Sequence, residues 1–64
     1  MTLKEAKDLK ENDTVILKEN TREMKIVNTE YFKGILGGSD FINVTILDDG
    51  KEIIRTHKEL LLKK

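Results

Sequence analysis

The sequence predicts an all-β domain of five short strands with a short amino-terminal helix, and three features carry that reading. Residues Phe41 to Leu47 alternate, with Ile42, Val44 and Ile46 on one face and Asn43 and Thr45 on the other, the period-two pattern of a half-buried strand. Asp49-Gly50 follows, a favoured pair for a type I′ turn because both central residues need φ > 0 and the turn's twist matches that of the strands it joins. The remaining apolar runs are short and separated by turn-forming residues such as Glu11-Asn12-Asp13 and Gly37-Gly38-Ser39-Asp40, which leaves little room for long helices.

Sixty-four residues make one small domain, of a size that buries only about 60% of the surface its unfolded chain exposes. Twelve basic residues balance twelve acidic ones, and the balance is six against six both for Met1 to Lys25 and for Ile26 to Lys64. Duplex binding through phosphates draws on clustered Lys and Arg, so this balance disfavours a general nucleic-acid binder while leaving a local patch open. Cysteine is absent, which removes disulfides and thiolate metal sites. The amino terminus is too charged for a secretory segment and no apolar run is long enough to span a bilayer, so the expectation is a soluble, cytoplasmic protein with no membrane partner.

Along the chain, Thr2 to Lys10 reads as a helix of about two turns. Thr2 and Glu5 form a capping box, and Leu3, Ala6 and Leu9 recur on one side. Asn12 is a candidate for a left-handed turn. Thr14 to Lys18 is a strand with Val15 and Leu17 on one face and Ile16 on the other. Met24 and Ile26 form a short half-buried strand between turns at Glu19 to Arg22 and Asn28 to Glu30, and Tyr31 to Leu36 forms the next, with a sharp bend or bulge at Gly34. Lys51 to Thr56 returns antiparallel from the Asp49-Gly50 turn. Ile53 and Ile54 are adjacent, so only one of them shares the core face, and the pattern leaves open which. Thr56 to Glu59 has the form of a second capping box. It starts either a terminal helix or one tight turn before a last strand at Leu60 to Lys63, and the strand is preferred because it protects a sheet edge.

With these elements in order, the chain resembles the small SH3-like barrels, in particular their KOW and Tudor-type branches. Leu9-Lys10-Glu11-Asn12-Asp13-Thr14-Val15 is similar to the family's entry to the first strand, with Asn12 where a glycine often sits. Asp48-Asp49-Gly50-Lys51-Glu52-Ile53 is similar to its distal hairpin, and His57-Lys58-Glu59-Leu60 to its one-turn segment before the fifth strand. The resemblance covers roughly residues 9 to 63 and implies a small five-stranded SH3-like barrel. It also implies nucleic-acid binding through loops and one strand face, for which Lys33, Arg55 and Lys58 are the candidates, joined by Lys63-Lys64 and by Arg22 and Lys25. Glu30, Asp40, Glu52 and Glu59 lie close by in sequence and oppose it. Tyr31, Phe32 and Phe41 are the only aromatics, and Tyr31 and Phe32 are neighbours on a strand, so one of them faces inward. They are too few for an aromatic cage or a proline-peptide groove.

No catalytic constellation emerges. His57 is the only histidine and reads as a surface turn residue, because nothing in the spacing brings Ser39 or Asp40 beside it. Asp48, Asp49 and Glu52 lack the spacing of a calcium loop. Gly37-Gly38-Ser39 leads into a strand, whereas phosphate loops open a helix. No metal, cofactor or catalytic residue is assigned. The candidate site is instead a surface. If Ile42, Val44 and Ile46 point inward, Phe41, Asn43, Thr45 and Leu47 face out, with Ile54 a candidate to join them across the hairpin. Cover by the amino-terminal helix is the preferred account of this patch, with an unknown protein partner or a homodimer next. The function these readings favour is a non-catalytic protein-interaction module, of the kind used as an accessory or regulatory factor by a bacterium or mobile element, with a KOW-like nucleic-acid-binding barrel as the alternative.

Overall fold

The computed structural model describes residues 1–63. Five strands form one antiparallel sheet: β1 (Thr14–Leu17), β2 (Glu23–Phe32), β3 (Phe41–Asp48), β4 (Lys51–Thr56) and β5 (Leu60–Leu62). Their spatial order is β4-β3-β2-β1-β5. A helix α1 (Leu3–Lys7) precedes β1, and a single 3₁₀ turn (His57–Glu59) joins β4 to β5. β4 and β5 are the two edges of the sheet, so the hydrogen bonding does not close into the barrel that the sequence led us to expect.

β3 sets the arrangement. Ile42, Val44 and Ile46 are each at most 3% exposed, while the residues between them are half-buried. Opposite residues of an antiparallel pair share a face, so the register extends this alternation sideways. Ile26 lies opposite Ile46 on one flank and Ile53 opposite it on the other. Ile53 is therefore the inward residue and packs against the core, whereas Ile54, opposite Thr45, faces out. The Asp49-Gly50 turn takes the form expected of it, with φ of 50° and 82°.

The reading of β2 needs correction. The turn expected at Asn28 to Glu30 does not form. Asn28, Thr29 and Glu30 pair with Thr45, Val44 and Asn43, and β2 runs unbroken for 10 residues. A register shift between Ile26 and Asn28 leaves Val27 as the extra residue of a bulge, which bends a strand and raises its twist without ending it. β2 pairs with β1 through Glu23 to Lys25 and with β3 from Lys25 onward. The bulge falls next to this hand-over and turns the two halves of the sheet around a common interior. Val15, Leu17, Met24, Ile26, the three β3 residues and Leu60 fill that interior.

The expected strand at Tyr31 to Leu36 ends at Phe32. Gly34 is not a bend within a strand. It closes the β2–β3 loop, where a Cβ would lie 1.9 Å from the Gly38 carbonyl oxygen. Asp40 fastens the same loop by accepting hydrogen bonds from the Gly34 N–H at 2.8 Å and from the Tyr31 hydroxyl.

α1 is shorter than the pattern predicted, ending at Lys7, but its capping box forms, with the Glu5 N–H donating to Thr2 Oγ1 at 3.2 Å. Ala6 and Leu9 enter the core, and Met1 and Leu3 pack against it. The Met1 ammonium donates to the carbonyls of His57 and Leu60. A five-residue helix is unstable alone, and these contacts hold it on the inner side of the sheet. The second capping box also forms, with the Thr56 N–H donating to Glu59 Oε2 at 3.0 Å. It stops after one 3₁₀ turn, and β5 pairs with β1 as the preferred reading required.

Two glycines between β2 and β3, Gly34 and Gly37, respond differently to a methyl group. Gly34→Ala forces backbone atoms apart and is expected to cost about 2–3 kcal/mol, lowering the melting temperature by roughly 10–20 °C for a domain of this size. Gly37 has φ of +83° but open space around it, so Gly37→Ala costs only the left-handed penalty of about 1–2 kcal/mol. Thermal denaturation of both variants checks the ranking, and equal losses would contradict the close approach at Gly34.

Candidate protein-contact face

The register places Phe41, Asn43, Thr45, Leu47 and Ile54 together on the outer face of β2, β3 and β4. Across these strands the face reads in rows: Phe32–Phe41, Glu30–Asn43–Thr56, Asn28–Thr45–Ile54 and Lys25–Leu47–Glu52. Leu47 is 44% exposed and Ile54 57%, large apolar side chains left in water. Phe41 is half-buried because its ring stacks on Phe32, with centroids 5.1 Å apart and planes 12° from parallel. Asn43 and Thr45 form the polar centre between these apolar ends.

The helix does not cover this face. Its buried residues join Ile42, Val44 and Ile46 on the opposite side of the sheet, which overturns the preferred reading of the patch. The physical reason is the pattern of α1 itself: Leu3, Ala6 and Leu9 give it one apolar side, and the open inner face offers more apolar surface to bury than the outer one.

Sequence reasoning identified the β3 side chains of the patch, with Ile54 as a candidate beside them, and left the rest of its surroundings unassigned. Ile16 and Leu61 lie opposite one another on the outer side of β1 and β5, where Leu61 is 43% exposed. The alternation Leu60 in, Leu61 out was available, but three consecutive leucines conceal it. Ile35 and Leu36, at 80% and 102% exposure, stand in the β2–β3 loop, where a strand was expected.

The basic residues are dispersed. Lys33 follows β2 and Lys58 sits on the 3₁₀ turn, both exposed. Arg55 is opposite Val44, hence on the other side of the sheet from the patch, and donates to the Ile54 carbonyl at 2.8 Å. Arg22 lies 3.0 Å from Asp48 Oδ1, and Lys63 pairs with Glu23. Lys25 is exposed on the outer face. Lys64 lies outside the described residues.

His57 is not the surface residue the sequence implied. It is 4% exposed, and its Nδ1 accepts the Ile42 N–H at 3.3 Å. The 3₁₀ turn folds back over the start of β3 and carries the ring inside. Burial first, then the positive charges of Lys58 and the amino terminus, hold its pKa below the ordinary 6.5. Asp40, held down by the Gly34 N–H and the Tyr31 hydroxyl, is committed to its loop, and Tyr31 carries the Lys7 ammonium 5.3 Å above its ring. Among the described residues no helix is long and apolar enough to cross a membrane.

Comparison with protein-family models, curated proteins and solved structures finds no match to this chain.

The buried histidine makes stability depend on pH in a definite direction. A base whose folded pKa lies below its unfolded value is protonated first in the unfolded chain, so stability rises with pH between the two values and levels off above the unfolded one. The melting temperature should therefore climb as the pH rises toward the ordinary histidine value of 6.5 and level off above it. In His57→Asn, whose amide oxygen can still accept from Ile42, that part of the slope should vanish. An unchanged slope in the variant would show that His57 does not carry it.

Proposed function

We propose that this chain is a small non-catalytic binding module that docks on protein through the outer face of β2, β3 and β4. The observation that carries the reading is the exposure of Leu47 and Ile54 on a sheet face from which the helix is turned away. Exposed apolar surface in contiguous patches is a common mark of protein contacts. The absence of a reactive role for its most chemically capable groups supports the non-catalytic part. His57 is enclosed and accepts from a backbone N–H, and Asp40 is engaged with Gly34 and Tyr31.

We also place the fold with the small SH3-like barrels. That placement is supported by the continuous order β4-β3-β2-β1-β5, by the long bulged β2 shared between both halves of the sheet, and by the one-turn segment ahead of β5. Nucleic-acid binding is the second reading. Its support is that Lys33, Arg55 and Lys58 lie toward the same end of the sheet, where β2 and β4 finish and β3 begins. The carboxylates of Glu30, Asp40 and Glu59 share that end, which makes it the weaker of the two.

Leu47→Ser and Ile54→Ser separate contact from core. Both side chains are solvated in the free chain, so each variant should melt within a few degrees of the parent, a loss of about 0.5 kcal/mol or less. Each should also lose a protein that co-purifies with the tagged parent chain. Phe41→Ser is a poorer probe, because it removes the stack on Phe32. Unfolding of the Leu47 or Ile54 variants would make these residues structural. Salt-sensitive binding of a mixed-sequence oligonucleotide, reduced by both Arg55→Ala and Lys58→Ala, would replace the protein-contact reading with the nucleic-acid one.

A further inference from the structure

We propose that the partner of the outer face is a second copy of this chain, packed face to face about a two-fold axis running along β3. This rests on the protein-contact reading above and names its partner. In the row Lys25–Leu47–Glu52 a cation, an aliphatic residue and an anion stand side by side across three strands. A two-fold axis along β3 exchanges the flanking strands. Lys25 then faces Glu52 of the copy, Glu52 faces its Lys25, and Leu47 meets Leu47. The row is its own complement.

The same operation suits the other rows. Phe41 meets Phe41, extending the Phe32–Phe41 stack across the interface, and Ile54 lies over the Asn28–Thr45 surface of the copy. Like charges are kept apart, because Lys25, Glu30 and Glu52 all sit on strands flanking the axis and move to the opposite side in the partner. Sheets packed this way lie about 10 Å apart, a gap that Lys and Glu side chains bridge from both sides. A two-fold interface must be self-complementary, and the row Lys25–Leu47–Glu52 meets that requirement.

The contact area limits the strength. Phe41 to Leu47 spans about 20 Å, and three strands with their side chains about 15 Å. Each copy then buries on the order of 300 Å², below the roughly 800 Å² per partner of standard stable complexes. The dimer should accordingly be weak and visible only at high concentration.

Sedimentation equilibrium of the intact chain from about 20 μM to about 2 mM tests this, a range that brackets weak association. The mean mass should rise from the monomer's toward twice that value, and added salt should reduce the rise. Lys25→Glu and Glu52→Lys should each remain monomeric alone, since their rows become doubly negative and doubly positive. An equimolar mixture of the two should associate, because each row complements the other, and the double variant Lys25→Glu/Glu52→Lys should recover self-association. These three results together support the two-fold arrangement and rule out misfolding of the single variants. A parent chain that stays monomeric at the top concentration overturns it, as does a mixture that fails to associate. If the parent is monomeric while Leu47→Ser still strips a co-purifying protein, the self-pairing fails and the protein-contact reading survives. If the parent dimerises and neither the charge changes nor Leu47→Ser affects it, the interface lies elsewhere and both readings fail.

Discussion

The structure depends on the burial of alternate residues along β3. Ile42, Val44 and Ile46 are enclosed by β2, β4, α1 and the 3₁₀ turn, and each buried aliphatic of this kind contributes roughly 1.5–3 kcal/mol relative to leaving it in water. A slip of one residue in either neighbouring register would exchange the buried and solvated sets. The inner alternation therefore fixes the outer one. Leu47 and Ile54 are exposed because the register that buries Ile46 and Ile53 leaves them no other side to take.

That constraint links the core to the candidate site through β2. Three strands with one buried face do not enclose anything, and the bulge at Val27 is what turns the β1–β5 half of the sheet toward the β3–β4 half. It leaves the pairing of Asn28 to Phe32 with β3 regular. The outer face of β2, β3 and β4 thus stays a continuous ribbon of matched rows while the inner face closes over its core. Met1 completes the enclosure at the far end, where its ammonium bridges the carbonyls of His57 and Leu60 and holds the first turn of helix against the last turn before β5.

Much of this was legible in the sequence. The alternation of Phe41 to Leu47, the Asp49-Gly50 turn and both capping boxes are local signals, and each produced the element it specifies. β5 was legible from the need to pair a sheet edge. The course of β2 was not, because Asn28-Thr29-Glu30 has the composition of a turn, and only pairing with β3 makes it a strand. The choice between Ile53 and Ile54 depends on a register that a two-residue turn fixes in space and adjacent isoleucines hide in sequence. His57 was misjudged for a related reason. A turn residue between Thr56 and Lys58 looks solvated, and its burial comes from the contact of the 3₁₀ turn with β3, which no local pattern encodes. For the candidate site, the β3 members followed from alternation alone, whereas Lys25 and Glu52, and the choice of Ile54 over Ile53, required the pairing of three strands.

We propose that the outer face of β2, β3 and β4 pairs with a second copy of the chain while the inner face is core. A concentration series of amide resonances in the isotopically labelled chain tests it most directly, residue by residue. The account predicts shifts on concentration in the rows that contain Lys25, Phe41, Thr45, Leu47, Glu52 and Ile54, with the α1, β5 and β2–β3 loop amides unmoved. Shifts centred on α1 or on Ile35 and Leu36, with the sheet face silent, would contradict it.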